Sequence, residues 1–201
     1  MNPKAACTRS RQSGVTMVEL IITMTIAGIL LAMGVSGYKY VTKSNRSSSE
    51  INALLGDLQF ARYEAVKEGL QVTVCPAAAG ATACGAATTT WSNGWIVLSN
   101  ALSGTSGTAN VLRHQLPFSS FNSTDTLTTA TITSVIFNRE GFAVGLSGAG
   151  LTGTVVFTLH DSTSTLSYTR CLMLGVSGVM QTSLASAMSN PAVQVLGQTC
   201  S

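Results

Sequence analysis

Gly14-Val15-Thr16-Met17-Val18-Glu19-Leu20 opens an apolar run that continues without a charge from Leu20 to Tyr38. As a helix these nineteen residues rise about 28 Å, close to the thickness of a hydrocarbon core. Arg9 and Arg11 precede the run, and Lys39 and Lys43 close it with Tyr38 and Tyr40 at its edge. Bases on both sides leave its orientation weakly set by charge. An ordinary secretory signal places its small-residue cleavage site after the apolar run. Here the small pair Ser13-Gly14 precedes it, so a cut after Gly14 leaves the helix on the mature chain. A lipoprotein reading at Ala6-Cys7 fails, because no apolar run precedes Cys7. Glu19 breaks the pattern, since a carboxylate in hydrocarbon costs several kcal/mol at the centre and less near the edge. It therefore calls for the interface or for a partner. If the chain starts at Val15, the natural partner is the new α-amino group of a neighbouring subunit.

The composition agrees with an exported chain that is neither disordered nor a nucleic-acid binder by charge. Charged residues are 9% of 201, against about 25% in an average soluble protein. Hydrophobic residues reach 45%, which excludes charge-rich disorder. The net charge of +3 owes much to Lys4, Arg9 and Arg11; from Asn45 onward six bases face seven acids. No polybasic patch lies there.

Beyond the apolar run, Ile51, Leu54, Leu55, Leu58, Ala61, Ala65 and Val66 keep a helical period. Asn52, Asp57, Gln59, Glu64 and Lys67 supply polar positions, and Gly69 is the expected stop. The stretch 43–49 has weak helix propensity and reads as a junction between the two helical parts. Gly28, Gly34 and Gly37 permit bending or close packing against other helices. After Gly69 the period becomes two. Strands are expected at Leu70–Cys75, Trp95–Leu98, Val111–His114, Ile132–Phe137, Phe142–Leu146, Val155–His160 and Arg170–Val176, with a tight turn at Arg139-Glu140-Gly141. Segments 77–93 and 182–199 read as less regular. The fold class is α+β: a long amino-terminal helix packed on an antiparallel sheet, or on two sheets around it. The expected divisions are 1–14 leader, 15–38 membrane or filament-core helix, 39–69 its continuation, and 70–201 a β-rich domain.

Cys7 leaves with the leader. Cys75, Cys84, Cys171 and Cys200 remain, an even number with three possible pairings. Cys75 to Cys84 is a nine-residue step that closes locally, which leaves Cys171 to Cys200 to staple the tail. A four-cysteine zinc site would lack any C-x-x-C knuckle, so no metal and no cofactor are expected. No catalytic residue is assigned either. Gly145-Leu146-Ser147-Gly148-Ala149 and Gly175-Val176-Ser177-Gly178-Val179 each miss the last glycine of a nucleophile elbow, and neither His114 nor His160-Asp161 completes a triad. Trp91 and Trp95 read as core packing.

The run Gly14 to Leu20 resembles the class III signal of type IV pilins and type II secretion pseudopilins. That resemblance implies cleavage by prepilin peptidase between Gly14 and Val15, N-methylation of Val15, and a docking role for Glu19 in assembly. Val15 stands where phenylalanine is usual. Leu58 to Gly69, Val72 to Pro76, Cys84 and Trp91 to Val97 are similar to the GspH/FimT type of minor pilins and pseudopilins. The implied protein is no enzyme. It is a single-pass inner-membrane subunit with a periplasmic domain, which then enters a pilus or pseudopilus. Its implied partners are prepilin peptidase, other minor pilins, the major pilin or pseudopilins, and the inner-membrane assembly platform. Some members bind DNA through Gly-Arg-x-Arg. The matching place, Gly178-Val179-Met180-Gln181, lacks both arginines. That absence favours the structural, FimU-like branch over DNA uptake, with Arg113, Arg139 and Arg170 left as weak DNA contacts at most.

Overall fold

The computed structural model describes residues 14–86, 90–99, 110–121, 124–129, 132–145, 151, 153–162, 165 and 167–185. The chain divides into two compact units, 1–41 and 42–201. One helix, α1 (Met17–Glu68), runs through both. The polar stretch 43–49 does not interrupt it. Ser47 and Ser48 turn their hydroxyls back onto the carbonyls of Lys43 and Ser44, at 3.2 and 2.9 Å. Tertiary contacts of Lys43 and Arg46, described below, outweigh the weak propensity of the serines. The helix ends where expected, at Gly69, whose φ of +67° is readily adopted by glycine.

In the second unit α1 packs on two antiparallel sheets. The first has the order β3-β2-β1-β5-β6, with β1 (Val72–Pro76) central between β2 (Trp95–Ser99) and β5 (Val135–Phe137), and with β3 (Asn110–Gln115) and β6 (Ala143–Val144) at the edges. The second has the order β4-β7-β8-β9, from β4 (Thr126–Thr129) through β7 (Val155–His160) and β8 (Arg170–Leu174) to β9 (Met180–Leu184). The seven expected strands are present: β7 has the expected bounds, β2 and β3 run slightly longer, β1 is shifted, and β5, β6 and β8 are shorter; β4 and β9 are added to them. Both additions are edge strands with polar sequences, Thr-Leu-Thr-Thr and Met-Gln-Thr-Ser-Leu, which carry little apolar alternation.

Ile51, Leu54, Leu58, Ala61 and Ala65 bury one face of α1 against Val72, Val74, Val97, Phe137, Phe157, Leu172 and Leu174 from both sheets. Three residues depart from the periodic reading. Val66 is 53% exposed, and Asp57 and Glu64, expected on the polar side, are buried. Trp91 and Trp95 are core residues, as read. Trp91 meets the edge of Phe157 at 5.0 Å and ties a short 3-10 turn of Trp91–Asn93 to the second sheet. A disulfide joins Cys75 at the end of β1 to Cys84 in the following loop.

Gly56 offers a simple test of this packing. It lies mid-helix on an exposed face, and a Cβ there meets no atom within 4 Å. Gly56→Ala is expected to stabilise the domain by about 1 kcal/mol, from helix propensity alone. That corresponds to a rise in Tm of roughly 2–4 °C in a thermal melt.

Candidate assembly site

The described part of the first unit opens with an exposed, non-helical Gly14-Val15-Thr16. Thr16 caps α1: its Oγ1 accepts the Glu19 backbone N–H at 3.3 Å. Glu19 is thus the third helical residue, where a carboxylate is favoured by the positive end of the helix dipole. The signal that could have found this cap is Thr-x-x-Glu, which the sequence analysis did not use. Beyond it the apolar side chains are exposed on every face: Leu20 50%, Ile21 59%, Ile22 52%, Ile29 60% and Leu31 71%. The hydroxyls of Thr23 and Thr25 bond the carbonyls of Leu20 and Ile22 at 2.9 and 2.8 Å. The helix therefore satisfies its own polar groups, as hydrocarbon demands. Its most apolar window has a mean hydropathy of 2.2, and by length and composition it is able to cross a membrane.

In the second unit α1 is tied to both sheets by polar contacts. Lys43 Nζ lies 3.5 Å from the buried Asp161 carboxylate and 5.4 Å above the Tyr168 ring. Arg46 grips the equally buried Asp125 with two hydrogen bonds, of 3.2 and 2.5 Å. The Asp125 bond raises the Arg46 guanidinium above its ordinary value, with burial working against it. Asp57 accepts the Trp95 indole N–H at 2.9 Å and Arg113 Nη1 at 3.0 Å, while Arg113 also covers the Phe60 ring at 3.8 Å. Because Asp57 is buried with these two donors, Asp57→Asn is expected to cost about 1–2 kcal/mol of stability, measured by denaturant unfolding.

Arg62 makes the most connected contact. Its Nε donates to the Gly141 carbonyl at 3.0 Å, Nη1 to Gly178 at 3.1 Å and Nη2 to Ser177 at 3.2 Å. It thereby joins the β5–β6 turn of the first sheet to the β8–β9 turn of the second. The Arg139-Glu140-Gly141 turn is as expected, and Asn138 Oδ1 closes it by accepting the N–H groups of Glu140 and Phe142. Gly141 and Gly178 have φ of +81° and +75° and face each other across the Arg62 guanidinium. The place matching Gly-Arg-x-Arg is this second turn and the start of β9. Val179 there is 52% exposed, with Val176 at 37% and Phe142 at 48% nearby in the two turns.

Arg113, Arg139 and Arg170 are not brought together. Arg113 lies on the edge strand β3, paired with Asp57. Arg139 lies in the turn at the other end of that sheet's strand order, paired with Glu140 at 2.7 Å. That hydrogen bond holds the exposed Glu140 carboxyl below its usual range. Arg170 belongs to the second sheet and donates to Ser44 Oγ at 2.9 Å. Cys171 is buried and disulfide-bonded; Cys200, its expected partner, and Cys7 lie outside the described residues. Ser147 also lies outside them, and the Ser177 carbonyl serves the Arg62 contact. His114 Nε2 lies 3.1 Å from the Gly80 N–H. Among the described residues no three of His, Cys, Asp and Glu gather as metal ligands.

The family model for the type II transport protein GspH matches residues 50–178, and that for the prokaryotic N-terminal methylation motif matches residues 9–35. No curated protein matches the chain. Among solved structures the chain is similar to the type IV minor pilin FimU of Pseudomonas aeruginosa PAO1. In the P21 crystal form the identity is 19% and the TM-score 0.50, over 72% of this chain and 91% of that one. In the P65 form the values are 20% and 0.48, over 71% and 94%. The P21 likeness is one of fold.

Proposed function

The chain belongs to the type II transport protein GspH family and is a minor pilin or pseudopilin with an N-terminal methylation motif; from that premise we propose the course it follows. Residues 15 to about 38 hold the precursor in the inner membrane with the following domain in the periplasm. Prepilin peptidase cuts between Gly14 and Val15, and the new Val15 amine is N-methylated. Glu19 then meets the α-amino group of an adjacent subunit, and the apolar helices leave the bilayer together into a filament core. The subunit serves in priming, assembly or at the tip of a type IV pilus, as a structural protein and not an enzyme. Its partners are other minor pilins, the major pilin and the inner-membrane assembly platform.

The observation that carries this reading is the helix of the first unit. Its apolar side chains are exposed on all faces, so it needs lipid before assembly and other helices after it. A second reading, a minor pseudopilin of a type II secretion system, is favoured by the description of the matching family. DNA presentation has less support. Val179, Met180 and Gln181 offer no cation where phosphate contact needs one.

Electron microscopy of a clean deletion strain, with a complemented control, tests the proposal. Loss or strong reduction of surface pili is expected. Normal pili would overturn the pilus role and move the protein to secretion or DNA uptake.

A further inference from the structure

Among the described residues the cations of the second unit are almost all engaged. Lys43, Arg46, Lys67, Arg113 and Arg139 each face a carboxylate, and Arg62 holds three carbonyls. Arg170 differs. No carboxylate among the described residues lies within ion-pair distance of it, and its hydrogen-bond partner is the neutral Ser44 hydroxyl. Its Nε is out of solvent and has no acceptor. A buried N–H on a cation without an acceptor forfeits a charge-assisted hydrogen bond.

Arg170 also lines a cavity of about 260 Å³ between α1 and the edge strand β9. Ser48 and Asn52 supply polar groups from the helix and Thr182 from β9, while Ile51 and Leu184 form the apolar part. Asn52 and Thr182 are exposed, so the cavity is reached from solvent. The site thus presents one guanidinium fork, neutral hydrogen-bonding groups around it and an apolar wall for a short aliphatic stem. One positive charge matches one carboxylate; a phosphate dianion would stay half uncompensated.

We propose that this cavity receives an aspartate or glutamate side chain of a neighbouring pilin-like subunit, with Arg170 as the residue that binds it. The occupant follows from charge complementarity, and the proposal rests on the filament reading above.

The test has two arms, both on the full-length processed chain. In detergent micelles, the arginine Nε–H signals are followed by nuclear magnetic resonance during titration with sodium acetate, chloride keeping the ionic strength constant. The Arg170 signal is expected to shift saturably while that of exposed Arg139 does not. Followed on the backbone amide of Thr182, which lines the cavity, the response is lost in Arg170→Gln and needs about tenfold more acetate in Arg170→Lys, which keeps the charge but not the fork. In cells, Arg170→Glu is expected to lower incorporation into filaments about tenfold, while the chain is still cut and melts near the wild-type Tm. Reversing one acid of a neighbouring subunit to lysine should restore it. A non-saturable acetate response overturns the site. Wild-type incorporation of folded Arg170→Glu overturns the subunit as its occupant, and an Arg170-dependent DNA band shift would assign the site to nucleic acid instead. If the wild-type chain itself never enters a filament, it is the functional reading that fails.

Discussion

A chain carrying Gly14→Leu should accumulate wholly at precursor size, with no mature band on an immunoblot of membranes. The structure makes this substitution a clean probe. Gly14 is exposed and precedes the cap of α1, and a Cβ built on it meets nothing within 4 Å. The folded domain should therefore melt as the wild type does, so the loss reports recognition by the peptidase alone. The consequence for assembly is electrostatic. An uncut chain keeps Lys4, Arg9 and Arg11 ahead of its apolar helix. Drawing a base through hydrocarbon costs at least about 2.5–3.5 kcal/mol per charge at the centre. The precursor should stay in the membrane and be missing from filaments. A normal-sized mature product from Gly14→Leu would sink the cleavage assignment.

Gly178→Val should damage the domain itself. Residue 178 has φ of +75°, a conformation that costs a β-branched residue about 1–3 kcal/mol. A Cβ there also falls well inside contact distance of the Gly141 carbonyl oxygen and near Arg62 Nε. Backbone and guanidinium would both have to move, which adds about 1–3 kcal/mol of overpacking and disturbs the Arg62 contacts. We expect a total loss of about 4 kcal/mol, read as a fall in Tm of roughly 10 °C. Gly153→Ala is the matched control, because it meets no atom within 4 Å and carries no positive φ; it should shift Tm little. Equal melting of the two variants would refute the role given to the turn pair.

The residues that declared themselves in the sequence act through short-range patterns. Gly14, Glu19 and the uncharged run are contiguous, and the core stripe from Ile51 to Ala65 repeats at the helical period. Strands with an apolar face, such as Val155–His160, announce themselves in the same way. What the sequence hid is long-range or polar. Arg62 bonds carbonyls 79 to 116 positions away, and a carbonyl acceptor leaves no trace in residue identity. Asp57 looks like any solvated acid until Trp95 and Arg113 are folded over it. Only the glycines at 141 and 178 signalled that the two turns were special. The edge strands β4 and β9 escaped for the related reason that half-exposed, Thr- and Ser-rich strands have no apolar period.

The ties along α1 also bear on how the subunit carries tension. A subunit pulled through its helix transmits force into the domain wherever helix and sheets are joined. The joints at Lys43, Arg46, Asp57 and Arg62 span twenty residues, about 29 Å of helix. They lead into both sheets, through Asp161 and Asp125 beside the second and through Trp95 in the first, and Arg62 bridges the two. A load along the helix axis therefore shears several bonds at once and does not peel them one by one. Bonds loaded in parallel share the strain, so the domain should withstand traction along this axis better than the same contacts clustered at one end would allow.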